Sequence, residues 1–323
     1  MKLTVLGGGA WGLALAATRA RAGDEVTVWA RDPATVEAVR EGRPAPRLPA
    51  IALPPSIRAT TSLAAALEDA ATVLVVVPVA ATAGVLERAT SHAPDGTVWV
   101  MCSKGLAQTP EGPRLPHEIA ARALSGARVG VLSGPSFAAD VAAGLPTAVS
   151  VALPGGAEAL ARSLSSPSFR AYASDDVTGV ALGGALKNVV AIAAGIAAGR
   201  GLGASAHAAL VARGFAEMVR IATALGARGE TLGGLSGLGD LVLTASSAQS
   251  RNYAHGLALG RGEAPPGATV EGVATTATVA ALAAGRSIRA PLVDALAAIL
   301  HGAADIDATI ATLLERPVGP ERL

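Results

Sequence analysis

Lys104 and Lys187 stand out by residue type. Of the 26 lysines and arginines in the chain, only Lys2, Lys104 and Lys187 are lysines. Arginine is a permanent planar cation, whereas lysine is a point charge that can give up its proton when desolvated. Lys104 lies in Cys-Ser-Lys-Gly and Lys187 in Leu-Lys-Asn-Val, both apolar settings. Lys187 interrupts an apolar run that reads as helix, where a lysine costs free energy unless it is paired or neutralised. Desolvation and a neighbouring cation such as Lys104 would lower its pKa, as a general acid or base near neutral pH requires. Asp240 is the carboxylate of the Gly-rich stretch 235–241, and could hold such a lysine by a charge-assisted hydrogen bond or cap a helix. Ser250-Arg251-Asn252 sets a hydroxyl, a guanidinium and an amide at an expected helix start, which suits a phosphate.

A second kind of chemistry is written near the start. Residues 7–12 read Gly-Gly-Gly-Ala-Trp-Gly and contain G-x-G-x-x-G between a strand and a helix. Gly7 permits the tight turn, Gly9 lets backbone approach a pyrophosphate, and Gly12 lets the helix pack on the strand. The second strand ends Trp29-Ala30-Arg31-Asp32. The usual acidic partner of a ribose 2′-hydroxyl is replaced by Ala30, and Arg31 suits a 2′-phosphate. The expected cofactor is NADP(H), or both NADP(H) and NAD(H), with Asp32 leaving the second choice open.

The elements that must position these groups differ between the two halves. Up to about residue 175, aliphatic strands (2–6, 25–30, 73–77, 98–102, 129–132, 148–152) alternate with helical stretches (13–22, 62–69, 80–89, 116–124). Serial strand and helix mean a parallel, doubly wound sheet. Three strand ends, at Val77-Pro78, Ser103-Lys104 and Gly134-Pro135-Ser136, are expected to converge on the crevice where such sheets bind ligands. Beyond residue 175, Ala and Leu dominate and helices are expected over 176–198, 206–225, 251–260, 272–284, 291–300 and 307–314, the first capped by Asp175-Asp176. The Pro-rich segment 43–55 reads as an ordered loop. The division is therefore 1–175, an α/β nucleotide-binding domain, and 176–323, an all-helical catalytic domain.

Composition bounds the rest. A chain of 323 residues with 51% hydrophobic residues and net charge +1 reads as folded, with nothing to attract nucleic acid. A single cysteine, Cys102, excludes a disulfide framework and suggests a reducing compartment. The five histidines are scattered and no metal site is expected. No leader-like n-region precedes the first strand, and the apolar runs 73–79 and 189–198 are too short to span a bilayer. A cytoplasmic enzyme without integral membrane association is expected, and a homodimer stays open.

Taken together, GGGAWG at 7–12, CSKGL at 102–106, GPSFA at 134–138, LKNV at 186–189, LSGLGDL at 235–241, LT at 243–244, SRN at 250–252 and VEG at 270–272 resemble the bacterial NAD(P)-dependent glycerol-3-phosphate dehydrogenase family. The resemblance runs in order along almost the whole chain. It implies a Rossmann-like domain followed by a helical domain of the 6-phosphogluconate-dehydrogenase C-terminal type. It also implies reversible reduction of dihydroxyacetone phosphate to sn-glycerol 3-phosphate for glycerophospholipid synthesis. In that likeness Lys187 is the proton donor, with Lys104 and Asp240 in the catalytic group. Gly134, Ser136, Ser250, Arg251 and Asn252 join these three around the substrate. Gly7, Gly9, Trp11, Gly12, Arg31, Lys104, Ala138, Arg251 and Glu271 fall on cofactor positions. Two other readings remain at this point: a β-hydroxyacid or ketopantoate-type dehydrogenase, and a non-catalytic NADP-sensing protein.

Overall fold

The computed structural model describes residues 1–267 and 270–314. The chain divides into two compact units, one of residues 1–104 and 114–181, the other of residues 105–113 and 182–323. This division falls a few residues after the expected boundary at 175. It also assigns a short segment of the first half to the second unit.

The strands are β1 (Lys2–Leu6), β2 (Glu25–Trp29), β3 (Arg58–Thr60), β4 (Thr72–Val75), β5 (Val98–Met101), β6 (Ala107–Thr109), β7 (Gly112–Arg114), β8 (Arg128–Ser133), β9 (Thr147–Ala152) and β10 (Phe169–Ser174). Eight of them form one sheet in the order β10-β9-β8-β5-β4-β1-β2-β3. β4 is buried along its whole length, as a strand covered on both faces must be. Leu3, Val5, Val28, Leu74, Val100 and Leu132 form the middle of the core. Strand order reverses between β1 and β4, which makes their carboxyl ends the switch point of the fold.

The sheet is not wholly parallel. β9 runs antiparallel to β8, with Leu132 opposite Val151. The connection from β8 to β9 carries one short helix, Ala138–Ala143, and the strand after it runs back alongside β8. The segment 43–55 is an ordered loop, closed by a bridge between Ala45 and Leu48 and anchored by the buried side chains of Ala45, Leu48 and Leu53.

Among the described residues, the second unit is helical apart from the β6–β7 hairpin. Its central element is the 23-residue helix Val177–Gly199, which begins in the first unit. Asp176 caps it, its Oδ1 accepting the Gly179 N–H at 2.8 Å. The apolar run is longer than expected from residues 189–198. By length and composition this helix could cross a membrane, but its most apolar stretch is entirely buried within the protein. The helix Arg251–Arg261 lies against it with unusual closeness. A Cβ on Gly256 would overlap the Ile192 carbonyl, and one on Gly260 the Ile196 carbonyl. Gly195 and Gly199 face back in the same way. Two Gly-x-x-x-Gly faces thus bring the backbones together and fix where Arg251 and Asn252 stand relative to Lys187 and Asn188.

Candidate active site

In the first unit the turn after β1 has the geometry a dinucleotide needs. Gly7 donates its N–H to Trp29 O at 2.9 Å, and a Cβ on Gly12 would overlap the Gly7 carbonyl. The helix Ala10–Arg21 therefore starts directly over the strand end. A Cβ on Gly9 would meet nothing within 4 Å, so the space over that backbone is open. Trp11 Nε1 is buried without a hydrogen-bond partner among the described residues. An open backbone at a helix N-terminus beside a donor in need of an acceptor fits a pyrophosphate. The residues present match the cofactor the motif implies.

The end of β2 places Arg31 at the surface. Asp32 has another task. Its carboxylate caps the helix Pro33–Arg40, accepting from Ala34 N at 3.1 Å and from Thr35 Oγ1 at 2.7 Å. These bonds, the threonine's first, hold its pKa below the ordinary aspartate value.

The ends of β5 and β8 meet on one carbonyl. Lys104 Nζ donates to Gly134 O at 3.0 Å, and Ser136 Oγ donates to the same oxygen at 2.9 Å. Gly134 has φ +153°, and a Cβ there would stand 2.8 Å from Val149 Cα. Only glycine can turn the carbonyl this way beside β9. Ala138 opens the helix that follows, half-buried. Cys102, two residues before Lys104, is fully enclosed, and burial pushes its thiol pKa up. It stays a neutral thiol and takes no part as a nucleophile.

In the second unit Lys187 is 7% exposed and Asp240 1%. Lys187 Nζ donates to Asp240 Oδ1 at 3.1 Å and to Thr244 Oγ1 at 2.6 Å. Thr244 in turn donates to Asp240 Oδ1 at 3.2 Å. The three groups close a triangle in which each polar atom has a direction, as a buried charge pair requires. Asp240 reaches this place because residues Leu235–Gly239 form a π-helical turn before the helix Asp240–Ala245 begins. Such turns widen the helix by one residue and recur at functional sites. Asp240 does not cap its own helix; the N-cap there is Gly239.

Ser250 does cap. Its Oγ accepts the Tyr253 N–H at 3.3 Å at the start of the helix Arg251–Arg261. The hydroxyl keeps its own hydrogen to donate. Arg251 is exposed beside it. Asn252 Oδ1 accepts the Gly272 N–H at 3.0 Å, where Glu271, half-buried, begins the helix Glu271–Gly285. The structure thus brings Lys104, Gly134 and Ser136 together in one unit. In the other it brings Lys187 together with Asp240, and Ser250, Arg251 and Asn252 onto one helix start. Thr244 and Asn188 lie in the LT and LKNV motifs, but residue type assigned neither of them a role. A hydroxyl one turn after Asp240 and an amide next to Lys187 are the signals that could have found them.

With the fold and these groupings in view, comparison with known proteins decides the family. Residues 2–159 match the family model described as the N-terminus of NAD-dependent glycerol-3-phosphate dehydrogenase, and residues 176–311 match the model of its C-terminus. The chain belongs to the NAD-dependent glycerol-3-phosphate dehydrogenase family. It is 52% identical over 323 residues to a glycerol-3-phosphate dehydrogenase [NAD(P)+] of Mesorhizobium japonicum, covering 99% of this chain and 94% of the relative. The crystal structure of a glycerol-3-phosphate dehydrogenase from Coxiella burnetii superposes with a TM-score of 0.90 at 40% identity, covering 98% of this chain and 99% of the other. A ketopantoate reductase of Ralstonia eutropha, at 17% identity and a TM-score of 0.59 over 96% of this chain, shares the fold alone.

Proposed function

We propose that this chain interconverts dihydroxyacetone phosphate and sn-glycerol 3-phosphate with NAD(P)(H), supplying the backbone of glycerophospholipids. The observation that carries the reading is the buried Lys187–Asp240–Thr244 triangle in a chain of this family. When bound, the nicotinamide cofactor supplies or takes up the hydride. The chain's own residues do the rest. Lys187 Nζ is the proton donor to the substrate carbonyl oxygen in reduction, and takes the proton back in oxidation. Asp240 and Thr244 fix the direction of its N–H bonds. Lys104, held by the Gly134 carbonyl, supplies a cation at the strand ends of the first unit. Ser250 offers its hydroxyl hydrogen, Arg251 its planar fork and the helix Arg251–Arg261 its N-terminal N–H groups to the substrate phosphate.

The dinucleotide lies on the turn 7–12, with Trp11 Nε1 as a donor. Arg31, exposed just after β2, would meet the ribose end. Because Asp32 is engaged as a helix cap, no carboxylate of this turn is left to select an unphosphorylated 2′-hydroxyl, and NADP(H) is the favoured form. The deciding experiment follows NADPH absorbance with dihydroxyacetone phosphate as sole oxidant. Oxidation of NADPH coupled to formation of sn-glycerol 3-phosphate is expected. No oxidation with this substrate, but oxidation with a 2-keto acid, would overturn the assignment.

A further inference from the structure

Asn188 follows Lys187 and is only 3% exposed, yet the reaction as proposed gives it no task. Its Oδ1 accepts from Asn252 Nδ2 at 2.9 Å, while Asn252 Oδ1 accepts the backbone N–H of Gly272 at 3.0 Å. Chemistry sets the orientation of the Asn252 amide. A backbone N–H only donates, so the carbonyl end must face Gly272 and the NH2 end must face Asn188. Three helices therefore meet at one carboxamide: Val177–Gly199 through Asn188, Arg251–Arg261 through Asn252, and Glu271–Gly285 through Gly272. The closed joint is tightly packed. A Cβ on Gly272 would stand 2.5 Å from Asn252 Oδ1 and 3.0 Å from the Asn188 carbonyl oxygen. One residue away along each helix lie Lys187, Arg251 and Glu271.

We propose that Asn188 is a positioning residue that couples the two ligands: through the Asn252 amide it makes the phosphate-binding turn and the start of the Glu271 helix one element. This rests on the reading above, in which Ser250 and Arg251 take the substrate phosphate, and on Glu271 taking part in dinucleotide binding, as the family resemblance implies. A phosphate that settles on the turn orders the Asn252 carboxamide, and the same carboxamide holds the Gly272 N–H and with it the backbone of Glu271. The ordering cost is met once for both ligands, so each tightens the other. The coupling must be equal in both directions.

NADPH and sn-glycerol 3-phosphate are both reduced and bind together without reacting, which allows an equilibrium test. NADPH fluorescence titrations with and without saturating sn-glycerol 3-phosphate are compared for the wild type, Asn188→Ala and Gly272→Ala. In the wild type the phosphorylated ligand tightens NADPH by roughly fivefold or more, the lower end of ordinary coupling. In either variant the factor falls towards one. Gly272→Ala attacks the joint from its other side and serves if Asn188→Ala does not fold. A coupling factor retained in folded variants, even with both ligands weakened, makes Asn188 a packing residue and overturns the proposal. So does a wild-type factor of one in a chain that turns over dihydroxyacetone phosphate. Absence of that turnover sinks the substrate reading instead, and the proposal with it.

Discussion

At the scale of single residues, the chemistry depends on a lysine kept in a dry place. Lys187 is enclosed in an apolar helix, and Asp240 and Thr244 are its partners on the helix that follows the π turn. Replacing Lys187 by Met keeps the length and removes the proton. We expect kcat to fall by about 10²–10⁴, the range for losing a general acid, with NADPH binding near the wild-type value. Turnover within tenfold of wild type would move the proton transfer to another group. The cofactor end offers an independent residue-scale check. Arg31→Ala removes the exposed guanidinium after β2 and leaves the Asp32 cap in place. Its kcat/KM for NADPH should drop by about tenfold or more, a charge-assisted hydrogen-bond's worth, while that for NADH stays nearly level. Equal losses for both would show that Arg31 does not read the 2′-phosphate.

At the scale of elements, the positions of these side chains are set by how closely two helices approach. Gly256 lies inside the helix Arg251–Arg261, where alanine would ordinarily stabilise by up to about 1 kcal/mol. Here the added methyl would overlap the Ile192 carbonyl, and overpacking of this kind costs about 1–3 kcal/mol. Gly256→Ala should therefore lower Tm, reversing the usual sign, and should raise KM for the phosphorylated substrate by moving Arg251. A raised Tm would mean that the helices do not touch there. The same contrast explains what was legible beforehand. The glycine turn, the two lysines and Asp240 are readable from residue type because each is costly in its setting without a task. The long helices are readable from length and composition. The helix Pro33–Arg40 is missed when Asp32 is weighed only as a ribose partner, although Asp-Pro is a helix-start signal. The turn of β9 against β8 leaves no mark in the alternation of strands and helices. Thr244 and Asn188 are ordinary residue types, and only the folded chain brings them to Asp240 and Asn252.

At the scale of the whole molecule, stability has a pH dependence traceable to one carboxylate outside the site. Glu217 sits on the helix Gly203–Ala224 and is 4% exposed. Its two oxygens accept the N–H groups of Leu292 and Val293, at 3.1 and 2.8 Å, at the start of the helix Pro291–Leu300. Burial is the largest influence and raises its pKa above the ordinary glutamate value; the two N–H bonds and Arg220 pull the other way, and Asp294 adds to the rise. A raised carboxyl pKa means that the folded state holds its proton to higher pH than the unfolded chain. Stability from this group is then complete below the unfolded value of about 4.3, and falls as pH climbs through the folded value, because the unfolded state binds fewer protons over that window. Urea unfolding of the wild type at stepped pH should show this decline just above pH 4, superposed on any gain from surface carboxylates such as Asp32 and Asp69, whose pKa values are lowered. Glu217→Gln cannot titrate and should remove the decline, leaving a difference curve that drops with rising pH and then levels. A difference curve that rises over the same window would mean that the two N–H bonds outweigh burial, and that Glu217 is held charged as an anionic cap on the helix Pro291–Leu300.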